Sequence, residues 1–160
     1  MQHLHTFRSF ISLFETRSTA RPQTIILMGL PGSGKSTKAA EIKQSNPGKN
    51  YVVYDDSESL EALERVGKEN QIISDAILTL DPPEGGLEDF EEMAAITGTD
   101  LQVMYFENDP KTARENVMRR WQSGQAQSHQ TPELAKKIQW MSGRYKIPLG
   151  TKTIPVYRTT

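Results

Sequence analysis

The chain lacks cysteine altogether and carries almost no net charge, and both absences exclude classes of protein. Its 160 residues include no Cys, so neither a disulfide framework nor a thiolate metal site can form, and this composition predicts a reducing cytoplasm. Its 19 Lys and Arg against 20 Asp and Glu leave a formal charge of −1, which argues against binding to long nucleic acid through bulk charge. A local basic groove is still compatible with this balance.

Long apolar runs are absent as well. No stretch approaches the ~20 apolar residues that a membrane-spanning helix needs, so we expect no contact with the core of a membrane. The length suits one domain with its own core and leaves no room for a second catalytic domain. We therefore predict a single domain over residues 21–160, preceded by a separate element at 1–20.

Residues 1–20 differ in composition from the rest of the chain. Their apolar side chains fall at helical spacing on one face: Leu4, Phe7, Phe10, Ile11 and Phe14. Arg8 interrupts the apolar stretch, which argues against a secretory signal. Three interpretations stay open: a helix that packs on the domain or on a protein partner, a mitochondrial presequence, and a segment similar to the Phe-rich leaders, ending in Glu, that direct tailed-phage proteins into the prohead.

The most informative stretch runs from Thr24 to Thr37, where an apolar strand leads into Gly-x-x-x-x-Gly-Lys-Ser and then into a helix. The glycines let backbone N–H groups point inward, and the helix adds its positive dipole end, so a polyphosphate is held largely by main chain. Within this Walker A pattern Lys35 reaches the terminal phosphates and the Ser36 hydroxyl binds Mg²⁺. The predicted phosphate-binding residues are Gly29, Leu30, Pro31, Gly32, Ser33, Gly34, Lys35, Ser36 and Thr37. The alternative is a glycine-rich turn without function.

Beyond this loop, strand-like and helical segments alternate, which is typical of a parallel sheet with right-handed crossovers. We predict strands at 24–28, 50–54, 71–75, 101–106 and 153–157. Helices are predicted from Lys35 to Gln44, from Ser57, over 87–97, from Pro110 behind an Asp109 cap, and from Pro132 behind a Thr131 cap. Helical spacing places these side chains toward the core: Leu60, Leu63, Val66, Ala113, Val117, Trp121, Leu134, Ile138 and Met141.

Two acids follow predicted strands, at the edge where an open α/β sheet binds its ligands. Asp55, with Asp56 beside it, ends the second strand and is a candidate base for the proton of a substrate hydroxyl. Asp75 ends the third strand in the manner of a Walker B acid, placed to hold Mg²⁺ or its waters. The alternative for all three acids is a role as caps and turn residues.

Arginines precede a polar stretch between the last two helices, where a lid would lie, at about residues 119–131. A guanidinium from Arg119 or Arg120 that closes over the phosphates would offset charge in the transition state. Arg114 is a weaker candidate, and His129 is expected to face solvent. The alternative is that these arginines are solvated on the helix surface.

Three stretches make the chain similar to the P-loop kinases, and most of all to the kinase domain of phage-type polynucleotide 5′-hydroxyl kinase. They are Gly29 to Thr37, the pair Asp55-Asp56, and Ile72 to Leu78, with a weaker fourth in Arg144-Tyr145 and Ile154 to Tyr157. The resemblance implies a P-loop NTPase fold of three α/β/α layers, similar to the nucleoside-monophosphate kinases. Its five-stranded parallel sheet would have the order 2-3-1-4-5, and a lid would cover the site.

The same resemblance assigns roles to individual residues. It implies that Lys35 and Ser36 bind ATP and Mg²⁺, that Asp55 is the general base, that Asp75 lies beside the metal, and that Arg119 belongs to the lid. Two departures stand out: Glu58 where the family pattern has an arginine that grips an acceptor phosphate, and Ser123 where the lid carries a second arginine. Arg120 is a candidate substitute.

The sequence therefore predicts an ATP-dependent kinase that phosphorylates a nucleic-acid 5′-hydroxyl or a nucleoside. Because Glu58 would repel a nucleic-acid phosphate, a smaller and less anionic acceptor, such as a sugar nucleotide or an antibiotic-like metabolite, stays open. The rival hypothesis is a phage interaction protein that binds ATP without turnover and uses its N-terminal helix for a protein partner. The expected location is the cytoplasm, that of the host for a phage-encoded chain, with packaging into the virion tied to the leader.

Overall fold

One parallel sheet organises the protein, in a computed structural model that describes residues 21–74, 85–127 and 130–159. Its strands are β1 (Gln23–Met28), β2 (Val52–Tyr54), β3 (Gln71–Ser74), β4 (Asp100–Phe106) and β5 (Thr153–Ile154). Their order is β2-β3-β1-β4-β5, and every pairing is parallel. The strand order predicted for this α/β fold is confirmed.

Helices connect the strands and cover both faces of the sheet. They are α1 (Lys35–Ser45), α2 (Ser59–Glu64), α3 (Leu87–Thr97), α4 (Pro110–Gln122) and α5 (Pro132–Arg144). The second helix begins later than predicted because Asp56–Glu58 forms a 3₁₀ turn before it. The last strand is shorter than predicted and ends before Pro155, which has no N–H to offer a neighbouring strand.

The core lies in two layers, one on each face of the sheet. In the central strand, Ile26 and Met28 pack with the cluster formed by α2, α3, α4 and α5. Ile25 and Leu27 point to the opposite face and pack with Ala39 of α1. Because successive strand residues face opposite sides, a strand covered on both faces is apolar throughout. Complete burial of each such side chain stabilises the fold by ~1.5–3 kcal/mol.

The two predicted proline-led helix starts are confirmed. Asp109 Oδ1 accepts a hydrogen bond of 3.0 Å from the Thr112 N–H at the start of α4. Its hydrogen bonds with Thr112 hold the pKa of Asp109 below its ordinary value. Thr131 Oγ1 accepts from the Leu134 N–H at 3.3 Å and begins α5 in the same way.

The prediction of a core position is wrong for two residues. Leu60 is 52% exposed and Trp121 is 49% exposed. The short α2 starts at Ser59, so Leu60 lies in its first turn and not in the middle of a longer helix. Trp121 lies in the last turn of α4, and helical spacing does not tell how far the surface covering a helix extends. The remaining predicted core side chains are buried or half-buried: Leu63, Val66, Ala113, Val117, Leu134, Ile138 and Met141.

Some predictions fall outside the described residues, namely those on the leader at 1–20, on Asp75 and on His129. Across the ranges that are described, no helix combines the length and the apolar character needed to cross a bilayer.

Candidate nucleotide-binding and catalytic site

The loop between β1 and α1 depends on glycine at two positions. Gly32 and Gly34 have φ angles of 81° and 105°, in the left-handed region that glycine adopts most readily. A Cβ on Gly32 would collide with the Ala113 carbonyl of α4, and one on Gly34 would collide with the Tyr157 ring. Neighbouring elements therefore fit closely around a loop that only glycine can form.

Hydrogen bonds within the loop shape it around the start of α1. The Ser33 N–H donates to the Leu30 carbonyl at 3.1 Å. Lys35 Nζ donates to the carbonyls of Gly29 and Leu30 at 2.9 and 3.0 Å, which holds its charge at the loop. Gly34 precedes α1, no side chain caps this end of the helix, and its first turn contains no acid. Uncapped N–H groups and the helix dipole favour an anion at this position.

A cavity of about 480 Å³ opens beside this loop, a size usual for a small-molecule site. Its described lining residues come from the loop and α1, from the segment after β2, from the last residue of β3, and from α4, α5 and the chain between them. They are Pro31, Gly32, Gly34, Lys35, Ser36, Asp55, Ser57, Ser74, Arg120, Gln127, Gln130, Leu134 and Met141. The structure thus brings Lys35, Ser36, Asp55 and Arg120 to one cavity.

The other predicted loop residues do not line the cavity. Gly29, Leu30 and Ser33 belong to the loop and are buried. The Ser33 side chain is 0% exposed, and its Oγ finds no hydrogen-bond partner among the described residues. Thr37 is exposed on the first turn of α1. The loop therefore presents backbone, Lys35 and Ser36 to the cavity.

Asp55 reaches the cavity because β2 lies two strands from β1 in a parallel sheet, so their carboxyl ends share one edge. It also occupies the cap position of the 3₁₀ turn Asp56–Glu58. Its N–H donates to Glu58 Oε2 at 2.8 Å, and the Glu58 N–H donates to the Asp55 carbonyl at 2.9 Å. The two residues form a capping box in which the Asp55 carboxylate also faces the Glu58 N–H, so part of its role is the cap that the sequence left open as an alternative. The exposed side chain of Asp55 lines the cavity as well.

The three predicted arginines lie in different places. Arg120 lines the cavity, whereas the exposed Arg119 donates from Nη1 to the Thr159 carbonyl. Arg114 lies in a second groove, on the outer side of α4. Adjacent helix residues point ~100° apart, so these side chains face different surroundings. Of the three, Arg120 is the one placed to face a phosphate in the cavity.

Asn116 is an element of the site that sequence reasoning missed. It is only 3% exposed, and its Nδ2 donates to the Gly32 carbonyl at 2.9 Å and to the Tyr157 carbonyl. Its Oδ1 accepts from Thr159 N and Oγ1 at 3.0 and 2.9 Å. The Tyr157 N–H in turn donates to the Ser33 carbonyl at 3.1 Å. The signal in the sequence was an Asn on the buried face of a helix, where a polar group needs partners.

Two tyrosines tie the C-terminal part of the chain to the loop region. Tyr157 donates from its hydroxyl to Glu41 Oε2 of α1 at 2.9 Å, and burial with this bond raises its pKa. Tyr145, at the end of α5, donates to the carbonyls of Phe106 and Met28 at 2.7 and 3.1 Å. Burial also raises the pKa of Tyr145. These bonds place α5 against the carboxyl ends of β1 and β4.

The residues present suit a magnesium–nucleotide complex. Ser36 offers an exposed hydroxyl on the first turn of α1, in the cavity wall. Within residues 21–74, 85–127 and 130–159, no three or more His, Cys, Asp or Glu side chains cluster as a metal site. Mg²⁺ uses one or two protein ligands, substrate phosphates and water, so a single hydroxyl beside an anion-binding loop fits its chemistry. Asp75, the other predicted ligand, lies outside the described residues.

Comparison with protein-family models and with curated proteins finds no match. Solved structures with a similar fold include the crystal structure of APE1195, at 14% identity and a TM-score of 0.44 over 77% of this chain and 94% of that chain. The Pnkp1/Rnl/Hen1 RNA repair complex contains another, at 16% identity and a TM-score of 0.47 over 90% of this chain. This chain spans 52% of that second chain. At these identities and TM-scores the two comparisons carry no conclusion about this chain.

The class of fold follows from the topology of this chain. It is an α/β protein with helices on both faces of a five-stranded parallel sheet of order β2-β3-β1-β4-β5, and its central strand leads through the glycine loop into α1.

Proposed function

We propose that this protein is an ATP-dependent phosphotransferase that moves the γ-phosphoryl group to an acceptor hydroxyl. One observation carries the proposal: the anion-binding loop and the Asp55 carboxylate line the same cavity. Phosphoryl transfer requires mainly that donor, acceptor and compensating charge be held together, and the cavity collects groups suited to each task.

The proposed step uses the described side chains as follows. The acceptor oxygen forms a bond to the γ-phosphorus while the bond from that phosphorus to the β,γ-bridging oxygen breaks, and ADP leaves with the electron pair. The Asp55 carboxylate accepts the hydroxyl proton. Lys35 and Arg120 offset the negative charge that develops on the transferred group. When bound, Mg²⁺ would neutralise charge on the β- and γ-phosphates, with Ser36 as a ligand.

The acceptor is proposed to be a nucleic-acid 5′-hydroxyl or a nucleoside, as the resemblance to polynucleotide kinases implies. A hydroxyl on another small metabolite is the alternative within the same reaction. All three acceptors offer a hydroxyl group that Asp55 would deprotonate. They differ in the remainder of the molecule, which the rest of the cavity wall must bind.

Labelled ATP tests the proposal with a panel of acceptors: a 5′-hydroxyl oligonucleotide, nucleosides and sugar derivatives. Transfer should require both Lys35 and Asp55, so Lys35→Ala should abolish it and Asp55→Asn should lower it by ~10²-fold or more. Asp100→Asn is the matched control. Asp100 is an exposed acid at the start of β4, and the amino ends of the parallel strands lie opposite the carboxyl ends that face the cavity. ATP binding without Asp55-dependent transfer to any acceptor would overturn the proposal.

A second candidate function is that of an ATP-binding interaction protein without turnover. Ser123 favours it, because this residue stands where the related lids carry an arginine, and its Oγ only donates to the Arg120 carbonyl at 3.2 Å. In that case Asp55→Asn would change no measurable activity, and ATP would still bind.

A further inference from the structure

The positively charged side chains among the described lining residues lie at the loop between β1 and α1. Lys35 and Arg120 are the cations among its described lining residues. Lys35 is bonded to loop carbonyls. Arg120 lies one helical turn after Asn116, which bonds Gly32, so both project from the side of α4 that meets the loop. Both cations are therefore placed for the phosphates of the donor.

Outside the loop, the start of α1 and Arg120, the described residues that line the cavity include no cation. Besides Asp55 they are neutral: Ser57, Ser74, Gln127, Gln130, Leu134 and Met141. Beside Asp55 stands the exposed carboxylate Glu58, which accepts from the Asp55 N–H. We refer to Asp55 and these six neutral residues as the acceptor wall.

One polar side chain of the acceptor wall offers a hydrogen-bond donor to the cavity. Gln130 is 5% exposed, and its Oε1 accepts from the Gln127 N–H at 3.3 Å. Because Oε1 is engaged in this way, Nε2 is the group of this amide that can donate to an acceptor atom of a ligand in the cavity.

Next to Gln130 the acceptor wall is apolar. Leu134 and Met141 lie at i and i+7 on one face of α5, and both are half-buried at the cavity. An apolar surface of this kind, with a flexible Met, suits the face of an uncharged ring. It offers nothing to a phosphate.

From these observations we infer that the acceptor is an uncharged, nucleoside-sized alcohol. Its ring lies against Leu134 and Met141 and one of its acceptor atoms bonds Gln130 Nε2. The inference rests on the proposed phosphotransferase function and names its acceptor class. A nucleic-acid acceptor would require Lys or Arg along its backbone, since phosphate contacts supply most of such binding. The acceptor wall instead presents a carboxylate and neutral groups.

The test compares acceptors that differ only in phosphate. Transfer of label from ATP is measured to a nucleoside, to the matching nucleoside 3′-monophosphate and to a 5′-hydroxyl oligonucleotide, at low and high salt. The nucleoside should have the highest kcat/KM, by about tenfold or more, because the acceptor wall would repel the added phosphate. Its efficiency should change little with salt, since a neutral acceptor releases no counterions.

Variants of the acceptor wall sharpen the test. Gln130→Leu should raise the KM for the nucleoside and leave the KM for ATP unchanged, whereas Gln139→Leu, an exposed amide on the outer side of α5, should change neither. Leu134→Lys should shift preference toward the 3′-monophosphate. A higher kcat/KM for the phosphate-bearing acceptors in the unaltered protein would overturn the inference alone. Absence of any Asp55-dependent transfer would instead overturn the proposed function.

Discussion

The loop between β1 and α1 and the acceptor wall face the same cavity but differ in their hydrogen bonds. The loop has a long-range side-chain bond besides its local ones, whereas the described side-chain bonds of the acceptor wall are local. Asn116 reaches Gly32 across 84 positions of the chain. The bonds of Asp55 with Glu58 and of Gln127 with Gln130 join residues that are 3 positions apart. Local bonds can open without disturbing the rest of the fold, whereas the loop can change only with its neighbours. We therefore expect the loop to be the more rigid half of the site and the acceptor wall the more adaptable half.

The largest expected effect comes from the loop backbone. Gly34→Ala forces a Cβ into the Tyr157 ring at a φ of 105°, so we expect a loss of ~2 kcal/mol or more in the free energy of unfolding and loss of ATP binding. Denaturant unfolding and ATP titration measure both. Gly48→Ala is the control, because a Cβ at Gly48 meets nothing within 4 Å. Equal stability of the two variants would show that the loop is less constrained than its packing indicates.

The second-largest effect on stability and ATP binding is expected for Asn116→Leu. It removes the bonds of Asn116 to the half-buried Gly32 carbonyl and Thr159 N–H, at ~0.5–1.5 kcal/mol for each hydrogen bond lost. If Asn116 positions the loop, the KM for ATP should rise more than the KM for the acceptor. Glu115→Gln, an exposed neighbour on the same helix, serves as the control. A uniform loss of stability with unchanged ATP affinity would reduce Asn116 to a structural residue.

Arg119 and Arg120 offer a comparison within one helix turn. Arg120→Ala should lower kcat by ~10²-fold or more, as removal of a group that stabilises transition-state charge commonly does. Arg119→Ala should leave kcat near that of the unaltered protein, because Arg119 bonds the Thr159 carbonyl and lies outside the cavity lining. Steady-state kinetics at saturating ATP decide between them. A larger loss of kcat in Arg119→Ala than in Arg120→Ala would contradict the assignment of Arg120 to the phosphates.

The smallest expected effect concerns Tyr54, next to Asp55. Burial and a hydrogen bond to Glu69 raise the pKa of Tyr54 from 10.0 to about 12. The folded state therefore favours the neutral phenol, and this contribution is complete below pH 10 and is lost as the pH rises to about 12. The free energy of unfolding should fall over that interval, and less steeply in Tyr54→Phe. Chemical unfolding at a series of pH values measures it, and parallel curves for both proteins would contradict the assignment.

Local patterns predicted the loop between β1 and α1, and Lys35 and Ser36 lie at the cavity, whereas other contacts of the loop were missed. The strand, the glycines and the Lys-Ser pair of the loop are contiguous, so their geometry follows from residues that lie side by side in the sequence. Asp55 could be placed because parallel strands end at one edge. Asn116 and the tail at 157–159 escaped prediction, since their bonds to Gly32 and Ser33 join distant parts of the chain. Helical spacing likewise could not tell Arg119 from Arg120, because their surroundings depend on where the tail lies.

The most direct test of the central claim is the separation of ATP affinity from phosphoryl transfer in Asp55→Asn. The account predicts that ATP binds within about twofold of the unaltered protein, since the carboxylate serves the acceptor hydroxyl, while single-turnover transfer falls by ~10²-fold or more. Transfer that persists near its original rate with Asn at this position would show that the carboxylate facing the cavity takes no part in the reaction.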